Sequence, residues 1–159
     1  ETPFPYAIGR LALVVRKDAG FDPKGFADLL RGAGIRRLAI ANPAHAPYGR
    51  AAEATLHSWK IYEAVAPRLV FGDSVSQAAQ YVDVGAAQAG LVALSLALVK
   101  DSSFAYAEIP EGLHPPLDQA GVILKKAISP DAARVFQQFL TGDSGRAILS
   151  KYGFGLPKR

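Results

Sequence analysis

Short apolar runs alternate with stretches of helical period along most of this chain, and that alternation restricts its fold more than any other feature. Leu11–Arg16 (LALVVR), Arg37–Ala41 (RLAIA), Arg68–Phe71 (RLVF) and Ala89–Ala93 (AGLVA) each read as a buried strand. Between the first two, Asp22-Pro23-Lys24 begins a helix with Phe26, Leu29 and Leu30 on one face, stopped by Gly32-Ala33-Gly34. After the turn from Asn42 to Pro47, a long helix is expected from Tyr48 toward Ala66, with Ala51, Ala52, Leu56 and Trp59 spaced for packing. Gly72-Asp73 turns the chain into a helix over Ser74–Val84, ended by Gly85, and a small helical stretch follows Ala93. Two further strands, Phe104–Ile109 and Val122–Lys125, are expected around the Pro-rich loop Pro110–Pro116. Strands alternating with helices imply an α/β fold: a wound, mainly parallel sheet flanked by helices, with right-handed crossovers. In such sheets ligands settle beyond the carboxyl ends of the strands.

The tail breaks the pattern. Pro130–Leu140 and Ser144–Tyr152 read as two helices closed by Gly153, and Val135, Phe136 and Phe139 form an apolar stripe that needs a cover. Neither an internal repeat nor a low-complexity stretch interrupts the chain. With half of its 159 residues apolar and a fifth charged, the composition is globular. The longest apolar run, Ala89–Val99, is broken by Ser95 and falls short of the roughly 20 residues that cross a bilayer. Zero Cys excludes thiol nucleophiles, disulfides and thiolate metal sites. Zero Met and a start at Glu1-Thr2-Pro3-Phe4 lead us to expect a processed, truncated or excised chain, exported with its leader removed. The net charge of +4 is dispersed, its densest cluster being Arg31, Arg36 and Arg37, and no nucleic-acid partner is expected.

Two helix starts carry the binding chemistry. Pro47 has no N–H to leave orphaned and a φ already helical, so Pro47-Tyr48-Gly49-Arg50 opens a helix whose first amides, those of Tyr48, Gly49 and Arg50, lack carbonyl partners within it. At the second start, Asp73 is expected to cap a helix beginning Ser74-Val75-Ser76. Both ends present free donors and positive dipole, suited to a small anion, provided the Asp73 carboxylate turns back onto its own helix. Enzyme chemistry finds less support. Gly72-Asp73-Ser74 resembles a lipase/esterase block, but no Asp precedes a His at the offset that would supply a base. Gly142-Asp143-Ser144-Gly145 is better explained as helix capping. His45, His57 and His114 lack metal-ligand spacing; His45 reads as a brace of its turn and His57 as an ordinary helix residue. No catalytic residue, direct cation ligand or cofactor is therefore expected, and Phe4 and Tyr6 are read as packing.

Four segments carry a resemblance: Ala41–Arg50 (ANPAHAPYGR), Leu69–Gln77 (LVFGDSVSQ), Gly90–Ser95 (GLVALS) and Tyr152–Pro157 (YGFGLP). In order and spacing the chain resembles the periplasmic molybdate-binding proteins of bacterial molybdate ABC importers. The resemblance implies a type II periplasmic-binding-protein-like fold, whose two lobes close on molybdate or tungstate held by neutral donors. The matching donors are the backbone amides of Tyr48 and Val75, supported by Pro47, Gly49, Asp73 and Ser74. A tyrosine hydroxyl that some members place on the anion is missing, because the matching segment holds Ala93 and Leu94. The resemblance also implies a domain plan: 1–10 as an inter-lobe crossing, 11–125 as the second lobe with half of the anion site, and 126–159 as C-terminal helices of a first lobe whose N-terminal part is missing. It implies an ABC permease as partner and a periplasmic location. The uncovered tail adds an expectation of dimerisation or tail exchange. Sulfate is the alternative ligand, a Gly-Asp-Ser esterase the alternative activity, and a ligand-sensing regulatory domain the third class.

Overall fold

The computed structural model describes residues 2–158; Glu1 and Arg159, the outer ends of the expected crossing and tail, lie outside the described residues. The regular elements are β1 (Phe4–Gly9), β2 (Leu11–Arg16), α1 (Phe26–Arg31), β3 (Leu38–Ala41), α2 (Pro47–Ser58), α3 (Tyr62–Val65), β4 (Leu69–Gly72), α4 (Val75–Asp83), β5 (Ala89–Ala93), α5 (Leu94–Val99), β6 (Phe104–Glu108), β7 (Leu117–Gly121), α6 (Pro130–Thr141) and α7 (Asp143–Lys151). They fall into two compact units. The larger is Arg10–Pro115, and the smaller joins the residues up to Gly9 with those from Pro116 onward.

The larger unit is built on a five-stranded sheet in the order β4-β3-β5-β2-β6. β3 runs parallel to β4 and to β5, whereas β2 is antiparallel to both β5 and β6. Four strands therefore share a direction and β2 opposes them, so the mainly parallel sheet carries one reversed strand. Two crossovers of opposite sense, β3-α2-β4 and β4-α4-β5, place α2 and α4 on opposite faces if both are right-handed. Ala12, Val14, Ala39 and Val92 bury against Ala78, Ala79 and Val82 of α4. The intervening Leu13, Ile40 and Leu91 are fully buried on the other face, to which α2 brings Ala52 and Leu56.

The long helix expected to reach Ala66 ends at Ser58. Trp59 closes it, Lys60 takes the left-handed conformation (φ 57°), and Lys60 N–H and Ile61 N–H return to the carbonyls of His57 (2.8 Å) and Leu56 (3.0 Å). This pair of bonds is the Schellman arrangement, sealed by the buried contact positions Leu56 and Ile61. The chain then resumes as the short α3, where the Tyr62 ring stacks on His57 at 4.1 Å between centroids.

In the smaller unit, β1 pairs antiparallel with β7, and Gly155 bridges back to Ile8 through two 2.8 Å backbone bonds. The strand expected at Val122–Lys125 lies earlier, at Leu117–Gly121. Pairing requires the register Phe4↔Gly121 to Gly9↔Leu117, and Phe4 packs over Gly121, where a Cβ would stand 2.6 Å from its ring. The division between the two compact units falls between Pro115 and Pro116, ahead of β7. Val122 and Leu124 are exposed instead of laddered. Together with Phe4, Tyr6, Phe136 and Leu140 they line an apolar groove of about 530 Å³. The tail stripe stays open: Val135, Phe136 and Phe139 are 66%, 61% and 48% exposed.

Candidate anion-binding site

β3 and β4 are parallel neighbours with Ala41 opposite Gly72, so both strands end at the same rim of the sheet. After Ala41 the chain makes a short turn and enters α2. After Gly72 it passes two residues and enters α4. The two helix starts singled out in the sequence thus rise from the carboxyl ends of adjacent strands. Asn42 N–H donates to the Gly72 carbonyl (2.8 Å), tying the two exits together through backbone.

Close approach at each exit depends on glycine. A Cβ on Gly49 would stand 2.2 Å from the Ala41 carbonyl oxygen, so α2 begins directly against the end of β3. A Cβ on Gly72 would meet Ala78 N at 2.8 Å and Ser74 O at 2.9 Å, so α4 folds back tightly over the end of β4. Within the first turn, Asn42 Oδ1 accepts from Ala44 N–H (3.0 Å), while its carbonyl accepts from the amides of His45 and Ala46. This Asx turn consumes local donors and delivers Ala46, in extended conformation, to the N-cap of α2.

The donors divide unevenly. Arg50, expected to have an unpaired amide, donates to Ala46 O (3.1 Å), because the N-cap carbonyl accepts the first intrahelical bond. Gly49 precedes that first bond, and its amide reaches no acceptor among the described residues. Tyr48 sits beside it, in the first turn of α2 and half-buried. On α4 the cap is Ser74 rather than Asp73. Ser74 keeps an extended backbone (φ −138°, ψ 164°), and its Oγ accepts from Gln77 N–H at 3.2 Å. The Gln77 side chain in turn accepts from Asp73 N–H at 2.6 Å, a reciprocal arrangement close to a capping box. Capping thus takes the amides of Asp73 and Gln77 and leaves those of Val75 and Ser76 without an acceptor among the described residues.

The serine offered by the Gly-Asp-Ser block holds its own helix. The ring of His45 reaches toward this segment, with Nε2 at 3.2 Å from the Asp73 carbonyl oxygen, a contact between residues 28 apart that sequence spacing did not reveal. Among the described residues, no group of three or more His, Asp or Glu side chains could hold a metal ion. No helix there is long and apolar enough to cross a membrane.

Comparison with known proteins gives a consistent result. A model of bacterial extracellular solute-binding proteins matches residues 1–155. The molybdate-binding protein ModA of Rhodobacter capsulatus is 34% identical over 95% of this chain and 58% of its own length. ModA of Azotobacter vinelandii is 36% identical over 96% of this chain and 61% of its own. The solved structure of the Azotobacter vinelandii periplasmic molybdate-binding protein superposes with a TM-score of 0.86 at 30% identity, covering 99% of this chain and 69% of that one. The chain spans about three-fifths of the length of the curated relatives it matches. A mixed α/β sheet with two helix starts at one rim, and a family match over nearly all of its length, place this chain among the bacterial extracellular solute-binding proteins.

Proposed function

We propose that this chain is part of the substrate-binding component of an ABC importer and binds molybdate or tungstate at the rim where α2 and α4 begin. The backbone amides of Tyr48 and Val75 donate to the oxyanion; Pro47, Gly49, Asp73 and Ser74 set the two helix starts. The observation that carries this reading is the pairing of the two starts at adjacent parallel strand ends, with the Val75 amide left over after capping. Charge-assisted bonds from fixed dipoles replace the hydration of a doubly charged anion without a cationic side chain, and helix-start polarity adds to them. The ModA relatives are molybdate-binding proteins, which supports it.

The larger unit then acts as the second lobe and holds half of the cradle. The other half comes from polypeptide that the relatives carry outside the matched three-fifths. That same polypeptide covers the open stripe of Val135, Phe136 and Phe139, which belongs with the first lobe. In its absence the stripe drives self-association or exchange of the tail. The complete protein works in the periplasm, carries out no catalysis and delivers its anion to a membrane permease.

Half a cradle has a calculable affinity. Two or three charge-assisted bonds at about 1.5–3 kcal/mol each face an association cost of several kcal/mol. The net is near the roughly 4 kcal/mol of a millimolar Kd, or weaker. Titration calorimetry of this chain with sodium molybdate, and with sulfate as competitor, tests the reading. Millimolar binding is expected, with sulfate weaker than molybdate. Micromolar binding by this chain alone would refute the half-site, and tighter binding of sulfate would reassign the ligand.

A further inference from the structure

We propose that His45 is a positioning residue of the anion cradle, tying the loop before α2 to the loop before α4 through its ring. The inference rests on the proposed anion site and adds to it a residue that need not touch the ligand. A carbonyl oxygen only accepts, so Nε2 must carry the hydrogen in its 3.2 Å contact with Asp73 O. Asp73 O belongs to the peptide that leads into Ser74, the N-cap, and the next residue is Val75, whose amide is the donor on this side. Holding that carbonyl fixes the plane of the peptide from which α4 starts.

The other end of the tether is equally well anchored. His45 N–H and Ala46 N–H both bond to Asn42 O, at 3.3 and 2.9 Å, and Ala46 caps the helix that carries Tyr48 and Gly49. His45 therefore links one donor segment to the other. Among the described residues the other bond between the two exits runs from Asn42 N–H to Gly72 O and ties the strand ends, whereas Asp73 and Ser74 are otherwise held within their own segment, through Gln77. The ring is exposed, so little apolar packing depends on it.

The test compares His45→Ala with His45→Gln, whose side-chain amide can offer an N–H at similar reach. Molybdate affinity is read by calorimetry on the full-length protein, alongside Tm. One net hydrogen bond corresponds to about a three- to tenfold loss of affinity in His45→Ala. The expected result is that loss with Tm unchanged, largely recovered in His45→Gln. Wild-type affinity in His45→Ala would overturn the role of the ring, as would an equal loss in both variants, because either result would show that the donated hydrogen is not what matters. A wild-type protein that binds neither molybdate nor tungstate would overturn the anion reading itself, and the tether's purpose with it.

Discussion

Replacing Gly49 by alanine isolates the contact that seats α2 on the end of β3. The added Cβ would stand 2.2 Å from the Ala41 carbonyl oxygen, 2.8 Å from its carbonyl carbon and 2.9 Å from the Asn42 carbonyl carbon. All three are backbone atoms, so no side chain can rotate aside. Close carbon–oxygen contacts lie at about 3.3–3.6 Å, and the first turn of α2 must therefore shift by about 1 Å. Overpacking of this kind costs about 1–3 kcal/mol. With only backbone atoms in the way, the upper part of that range, about 2–3 kcal/mol, applies; alanine returns about 1 kcal/mol through its better helix propensity, leaving a net loss of about 1–2 kcal/mol. With a urea m-value near 2 kcal/mol/M, the unfolding midpoint should fall by about 0.5–1 M. Trp59, the one tryptophan, caps α2 and packs its ring 5.8 Å from that of Phe26, so its fluorescence reports unfolding of the larger unit. Gly112→Ala, where a Cβ would meet nothing within 4 Å, is the control and should leave the midpoint nearly in place. A Gly49→Ala protein as stable as the wild type would show that α2 is not seated on Ala41, and the geometry of the first helix start would fail with it.

Ser74→Ala should cost about 1 kcal/mol by removing the cap on Gln77 N–H, read as a lower urea midpoint. The same variant should leave any background ester hydrolysis unchanged, whereas its loss would revive the esterase reading. Phe136→Glu, placed in the open stripe and lining the apolar groove of the smaller unit, should shift this chain toward monomer in light scattering at high concentration. A wild-type chain already strictly monomeric there, with tail amides protected from exchange, would contradict the proposed self-association through that face.

Much of the larger unit was legible because its strands are apolar throughout. β2, β3 and β5 are buried along nearly their whole length, so their hydrophobic runs stand out from the turns. β7 was missed for the opposite reason. Leu117–Gly121 is half exposed and carries Asp118 and Gln119, so nothing in its pattern marks a ladder, whereas the apolar Val122–Leu124 does and serves a groove wall instead. The end of α2 was hidden because Lys60, not glycine or asparagine, occupies the left-handed position. The reversal of β2 is a matter of pairing, which strand composition does not encode. At the site, Pro47 and Gly-Asp-Ser marked both helix starts, but the cap position was one residue off, since Ser74 stays extended. The bond from Arg50 to Ala46 O and the contact of His45 with Asp73 depend on the conformation of the turns that connect them.

The claim on which the rest depends is that backbone amides at two helix starts face one anion. A ¹⁵N–¹H spectrum of this chain titrated with molybdate reads those amides individually, and weak binding does not hinder it. Val75 and Tyr48 should move together, downfield and along a single binding curve, with Gly49 and Ser76 following to a smaller extent. Saturable shifts confined to other residues, with Val75 and Tyr48 unmoved, would contradict the account.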